Sequence, residues 1–143
     1  MAVPARMGIV TLGVADLARS IAFYEALGWQ RCGSSIDGEI SWFGTADGYV
    51  GLFPYQELAA DARIESPSRG TFGGITLAIN VENEQDVGAA LDAAAAAGAT
   101  ILKPATILPF AVSGYFADPD GYPWEVAYNP SFPIDEQGRL TIP

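Results

Sequence analysis

The 143-residue chain contains no histidine. That absence removes the commonest general base near neutral pH and the commonest transition-metal ligand. It also excludes every nucleophile activated by a histidine, Ser-His and Cys-His alike. A single cysteine, Cys32, excludes an internal disulfide and any multi-cysteine zinc site. With no imidazole to take its proton, Cys32 reads as a small buried or half-buried thiol and not as a nucleophile. Cations are scarce too: 7 Lys+Arg stand against 17 Asp+Glu, a formal net charge of −10. No basic stripe exists to neutralise phosphates, so nucleic acid is excluded as a partner, and an anionic membrane surface with it. The longest apolar run, Ala93 to Ala97, is far too short to span a bilayer. Met1 to Met7 lead into no secretory apolar region. The expectation is a cytoplasmic protein.

Half of the residues are hydrophobic, and only 17% are charged. Apolar burial on that scale offsets chain entropy, so the composition is that of a folded chain and not of a disordered one. The length points to one domain, 1–143, able to bury about two-thirds of its unfolded surface. Residues 7–14 are rich in Ile, Val, Leu and Thr and read as a strand. Asp16 caps a helix over Leu17 to Leu27, whose apolar residues Leu17, Ile21, Tyr24 and Leu27 recur at helical spacing. Gly28 ends it. Strands are predicted at 29–33, 38–44 and 49–55, the last two flanking the turn Thr45-Ala46-Asp47-Gly48. A polar connection with a short helix near Gln56 to Ala62 follows. The pattern then restarts: a strand at 73–81, a helix from Glu84 to Ala97 begun by Asn83 and closed by Gly98, and strands at 99–102, 113–117 and 122–128. Residues 103–112, with Pro104, Pro109 and Phe110, read as a loop, either a pocket rim or an ordinary crossover.

The order βαβββ therefore occurs twice. Phe43 to Tyr49 aligns with Phe116 to Tyr122 at an offset of 73 residues, continuing to Tyr55 against Tyr128. Gly8 to Leu12 aligns with Gly73 to Leu77 at an offset of 65. Two matches in the same order indicate duplication. Module one spans about 7–56, a linker 57–72, module two about 73–129 and a Pro-bounded tail 130–143, whose Leu140, Thr141 and Ile142 are expected to pack as an extended cover.

Two segments carry a family resemblance: Val10-Thr11-Leu12-Gly13-Val14-Ala15-Asp16-Leu17 through Phe23-Tyr24 with Leu27-Gly28-Trp29, and Phe116-Ala117-Asp118-Pro119-Asp120-Gly121-Tyr122-Pro123-Trp124-Glu125-Val126. With the duplicated βαβββ order they resemble the vicinal-oxygen-chelate superfamily, which includes glyoxalases, bleomycin-resistance proteins, extradiol dioxygenases and epimerases. The resemblance covers about residues 7–129. It implies an α+β fold in which the two modules form a cup-shaped, partly open mixed β-barrel with helices outside. It also implies four metal positions inside the cup, which carry over to Ile9, Leu52, Gly74 and Glu125. Three of those side chains cannot ligate, and one carboxylate alone is not a tight first-row site. No metal and no cofactor is therefore expected.

Glu125 lies in the otherwise apolar strand Pro123 to Tyr128, on the face opposite Trp124 and Val126. Desolvation in an apolar cup would raise the pKa of such a carboxyl and suit it to acid–base work or to pairing with a cation. Trp42, Tyr55, Phe110 and Tyr115 join Ile9, Leu52, Gly74 and Glu125 as expected lining, although core packing is the commoner use of an aromatic residue. The function expected first is metal-independent binding of a small cationic or aromatic molecule, as in bleomycin-resistance relatives. The alternatives are a metal-free lyase, isomerase or hydrolase with Glu125 as its acid/base, and a non-catalytic partner-binding domain. A homodimer is expected, since symmetric pairs are the commonest assembly.

Overall fold

A computed structural model describes residues 2–143. It is an α+β structure of three helices and two mixed sheets, with no closed barrel. The first sheet holds β1 (Ile9–Val14), β2 (Ser41–Gly44) and β3 (Tyr49–Pro54) in the order β1-β3-β2, with β1 parallel to β3. The second holds β4 (Leu77–Asn80), β5 (Thr100–Ile107), β6 (Val112–Ala117) and β7 (Pro123–Tyr128) in the order β4-β7-β6-β5, with β4 parallel to β7. The repeat is visible in this wiring: each module pairs its first strand in parallel with its last.

Helix α1 (Leu17–Ala26) starts where the Asp16 carboxylate accepts the Arg19 N–H at 3.0 Å, and it stops at Gly28, which takes φ +91°. Its Phe23 and Tyr24 are buried against both sheets, meeting Phe43 on one side and Phe116 and Trp124 on the other. Helix α3 (Glu84–Ala96) lies against β5, β6 and β7 through Val87, Leu91 and Ala94. It comes so close to β6 that a Cβ on Gly114 would stand 2.5 Å from Leu91 Cδ1. Helix α2 (Tyr55–Asp61) lies on the opposite face of the first sheet, where Tyr55 and Leu58 cover Gly13. One core runs through both modules, from Leu12, Val14, Val50 and Leu52 to Val112, Phe116 and Val126.

A polar clasp joins the modules. Asp120 accepts the Ala15 N–H at 2.8 Å and the Ser20 hydroxyl at 2.9 Å, so a carboxylate from the second hairpin serves the start of α1. The Tyr24 hydroxyl donates to buried Asp118 at 2.6 Å and accepts the Trp124 indole N–H at 3.1 Å. The Tyr122 hydroxyl donates to the Gly13 carbonyl at 2.8 Å.

Several sequence expectations need correction. The strand at 29–33 is reduced to one bridge, Arg31 to Phe43, because the Arg31 guanidinium is engaged by Ser41 and Asp37 and the chain then turns through Gly33 to Gly38. The strand at 73–81 begins only at Leu77; Gly74 sits at φ +80°, which no strand accommodates. Conversely, β5 runs on to Ile107 through Pro104, in the region read as loop. It is an edge strand with register shifts on both sides of Lys103, the setting in which a sheet tolerates proline. In the tail, Leu140 is half-buried and bridges Ile134, but Ile142 is 66% exposed, so Thr141 and Ile142 cover nothing.

Candidate functional site

The strand registers fix which residues of the two modules are equivalent. Phe43 pairs with Val50, and Phe116 with Trp124. Trp42 pairs with Gly51, and Tyr115 with Glu125. The second hairpin closes Ala117 on Pro123, whereas the first closes Gly44 on Tyr49, so the second turn holds one more residue. The offset of 73 residues before the turn becomes 74 after it. The position matching Glu125 is thus Gly51, not Leu52. Leu52 is fully buried, facing the core, and does not line the cup. The same logic applies to the first strands. Thr11 pairs with Gly51 and Ala78 with Glu125, so Ile9 is matched by Thr76. Gly74 lies in the turn before β4 with nothing packed on it.

Glu125 is half-buried on the face of the second sheet away from α3. Its Oε2 accepts the Ser113 hydroxyl at 2.7 Å, and Ser113 is itself buried. Tyr115 is its ladder partner. Burial first, and then the adjacent Glu125 charge, push the Tyr115 hydroxyl above its ordinary pKa, so it remains a donor at neutral pH. Beyond Tyr115 the ladder continues to Lys103, the chain's one lysine. Across two strand spacings its Cα lies about 10 Å from that of Glu125. Among the described residues the ion pairs are Arg19–Asp120 and Arg31–Asp37, so no carboxylate closes on Lys103. Sequence reading missed Ser113 and Lys103. Period-two counting from Glu125 and Tyr115 across the hairpin would have found Ser113; the bulges beside Lys103 hide it from such counting.

Of the other expected lining residues, Trp42 is half-buried beside Gly51 and Thr11 on the corresponding face of the first sheet. Tyr55 stands over Gly13 at the start of α2. Phe110 is 70% exposed in the turn between β5 and β6 and joins neither group. Two cavities follow the seam between the free edges of β1 and β4. The larger, about 640 Å³, is walled by Ile9, Trp29, Asp47, Thr76, Ala78 and Trp124, and Leu140 of the tail reaches it. Ala78 is the β4 partner of Glu125, so the carboxylate stands one strand from that wall. The smaller, about 390 Å³, lies between α2, β1 and the start of β7.

The divalent ion that the resemblance implies does not fit these residues. The four equivalent positions carry a hydrocarbon (Ile9), a hydrogen atom (Gly51), a neutral hydroxyl (Thr76) and one carboxylate (Glu125). A set with no imidazole, no thiolate and no second acid is a poor first-row site. Among the described residues no group of three or more His, Cys, Asp or Glu side chains converges as metal ligands. No helix of the structure is long and apolar enough to cross a membrane.

A family model, Glyoxalase/Bleomycin resistance protein/Dioxygenase superfamily, matches residues 6–126. Among solved structures, a glyoxalase-related enzyme from Fulvimarina pelagi is 32% identical over 97% of this chain and 99% of its own, with a TM-score of 0.85. A glyoxalase/bleomycin resistance protein/dioxygenase family enzyme from Burkholderia phytofirmans PsJN is 20% identical over 87% of this chain and 99% of its own, with a TM-score of 0.77. A lactoylglutathione lyase from Agrobacterium tumefaciens is 23% identical over 87% and 94%, with a TM-score of 0.66. These last two share the fold. No functionally curated protein matches the sequence.

Proposed function

The chain belongs to the Glyoxalase/Bleomycin resistance protein/Dioxygenase superfamily, and we propose that within it this protein binds a small molecule bearing a cationic or hydrogen-donating group, held by Glu125 without a protein-bound metal. The carrying observation is the Ser113–Glu125 pair, a buried hydroxyl donating to a half-buried carboxylate on the sheet face that also carries Tyr115. Ser113 supplies one hydrogen bond to one carboxylate oxygen. Tyr115 is the neighbour of Glu125 on the ladder, and the fold's polar clasp is built on Asp118 and Asp120 instead, which leaves Glu125 outside it. A half-buried carboxylate with spare acceptor capacity favours a donor that brings its own charge. Tyr115 adds a hydroxyl donor beside it.

The reading extends to a homodimer, since large apolar side chains at both ends of the seam and along β5 stand more than half exposed, among them Met7, Leu102 and Ile107.

The test is a thermal-shift screen of small amines, guanidines and cationic aromatics against the parent protein and Glu125→Gln. Hits should be lost or weakened about 10–150-fold in Glu125→Gln, the equivalent of about 1.5–3 kcal/mol for a hydrogen bond to a charged group. Hits that bind both proteins alike, or none for the parent, would set this reading aside. If a hit is turned over, and Glu125→Gln lowers its rate by about 10²–10⁴ with affinity little changed, Glu125 is an acid/base and the protein an enzyme.

A further inference from the structure

The smaller seam cavity differs from the Glu125 face in kind. In a chain with 17 acidic and 7 basic side chains, none of the 24 lines it. Its walls are Leu58 of α2, Leu77 of β4, and Ala62, Ile64, Pro67 and Ile75 of the segment between α2 and β4. The polar side chains at its edge are hydroxyls alone: Thr11, Ser68, Tyr55 and Tyr122. Burying a charge there would leave it without a partner, at heavy cost. At about 390 Å³ the space falls near the lower end of the roughly 300–1,000 Å³ typical of ligand pockets.

The connecting segment, residues 62–76, forms a strap across this cavity and has no regular secondary structure. Its start is tied to α2 by the Ile64 N–H on the Ala59 carbonyl at 2.9 Å, and its middle is fastened by Arg69, whose guanidinium lies 3.9 Å from the centre of the Tyr122 ring and donates to the Asp120 carbonyl. Two non-glycine residues of the strap, Arg63 and Ser66, sit at φ 57° and 49°, a conformation that such residues adopt uncommonly. They bracket Ile64. Ile64 and Ile75 line the cavity and are nevertheless 58% and 69% exposed, so they form its mouth. A molecule seated beneath them would remove that apolar surface from water.

We propose that this cavity is a second binding site, independent of the Glu125 reading, for an uncharged apolar molecule of up to three rings, and that the strap closes over it with Arg69 on Tyr122 as its latch. One hydroxyl on the ligand is accommodated by Thr11, whereas a charged group is not.

The test uses the full chain and the neutral fluorescent probe N-phenyl-1-naphthylamine. Saturable binding of one equivalent is expected, unchanged within twofold in Glu125→Gln. Ala62→Trp and, separately, Ser68→Trp fill the mouth from exposed positions and should each weaken binding at least about tenfold, with folding checked by circular dichroism. Arg69→Ala should speed probe release. Trypsin cleaves after Arg63 and Arg69, both in the strap, so saturating probe should slow both cuts at least several-fold in the parent and not in Ala62→Trp. No saturable binding, equal binding in both Trp variants, or cuts that ignore the probe would overturn the proposal. Cleavage that slows with protein concentration instead of with probe would assign the mouth to a second copy of the chain and overturn it equally.

Discussion

Tyr24→Phe tests the clasp between the modules. The substitution keeps the ring, and with it the contacts to Phe23, Trp29, Phe43 and Trp124. It removes one oxygen that serves two buried partners. Asp118 Oδ2 loses a donor at 2.6 Å, a hydrogen bond to a charged group that contributes about 1.5–3 kcal/mol. Trp124 Nε1 loses its acceptor at 3.1 Å, and an unsatisfied buried donor costs about 1–3 kcal/mol. Relief from desolvating the hydroxyl offsets part of this, which leaves an expected loss of about 2–5 kcal/mol. Burial, and then the Asp118 charge, hold the Tyr24 hydroxyl far above its ordinary pKa, so the donor is present at every pH where the protein folds. The assay is urea unfolding followed by tryptophan fluorescence, since Trp29 and Trp124 lie in the affected cluster. With a slope of about 2 kcal/mol/M, within the range of small domains, the midpoint should fall by about 1–2.5 M at unchanged slope. Tyr49→Phe, at a half-exposed tyrosine, is the control and should shift by less than about 0.5 kcal/mol. A loss below about 1 kcal/mol for Tyr24→Phe would refute the reasoning, because it would mean that neither Asp118 nor Trp124 depends on that hydroxyl.

Three further predictions follow from the same geometry. Burial raises the Asp118 pKa in the fold despite the donors around it, so its folded value lies above the unfolded one; its contribution to stability is complete below the unfolded pKa and is lost as pH rises through the folded pKa. Asp118→Asn should therefore lose ground relative to the parent as pH drops from 7 to 3, and a difference in unfolding free energy that is flat across that range would count against it. Gly114→Ala should destabilise by at least about 2 kcal/mol in the same urea assay, because its Cβ would stand 2.5 Å from Leu91 and 2.9 Å from the Lys103 carbonyl. Ile9→His/Gly51→Glu/Thr76→His should gain a thermal shift with nickel or zinc that the parent lacks, whereas Ile9→His/Leu52→Glu/Gly74→His should unfold, since Leu52 is fully buried; a metal shift in the second triple and not the first would reverse the register assignment.

The duplicated order and the two helices at Leu17 and Glu84 were legible in the sequence because their signals are local: a capping Asp16, a closing glycine, apolar residues at helical spacing. The family followed from two contiguous segments. What could not be read was set by tertiary partners. Pro104 argues for a loop until β5 is known to be an edge strand, with no neighbour waiting for the missing N–H. Gly73 and Gly74 extend an apolar run that looks like strand, but φ +80° at Gly74 ends it. Phe110 follows Pro109 into what reads as a pocket rim, yet the side chain faces outward. Of the candidate site, Glu125 and Tyr115 are named from the sequence but their pairing across β6 and β7 is not, and the counterpart of Glu125 in module one is misplaced by one residue.

That single-residue error has a physical cause, and the cause bears on function. An ungapped repeat carries the offset of 73 through the hairpin, but the second turn is longer by one residue. The added residue lets Asp118 Oδ1 take the backbone N–H groups of Asp120 and Tyr122 at 3.0 and 2.9 Å, which turns the Asp120 carboxylate toward Ala15 and Ser20. The shorter turn of module one, closed by Thr45 on Gly48, has no equivalent reach. The clasp is therefore one-sided, and so is the chemistry on the opposite face: Glu125 with Ser113 in module two, bare Gly51 between Thr11 and Trp42 in module one. A Cβ at Gly51 would come within 3.1 Å of Thr11 Oγ1 and 3.3 Å of Trp42, so a side chain there needs both neighbours to give by a few tenths of an ångström. At equivalent positions of the two modules, one half therefore holds a carboxylate and the other a bare glycine beside a ring.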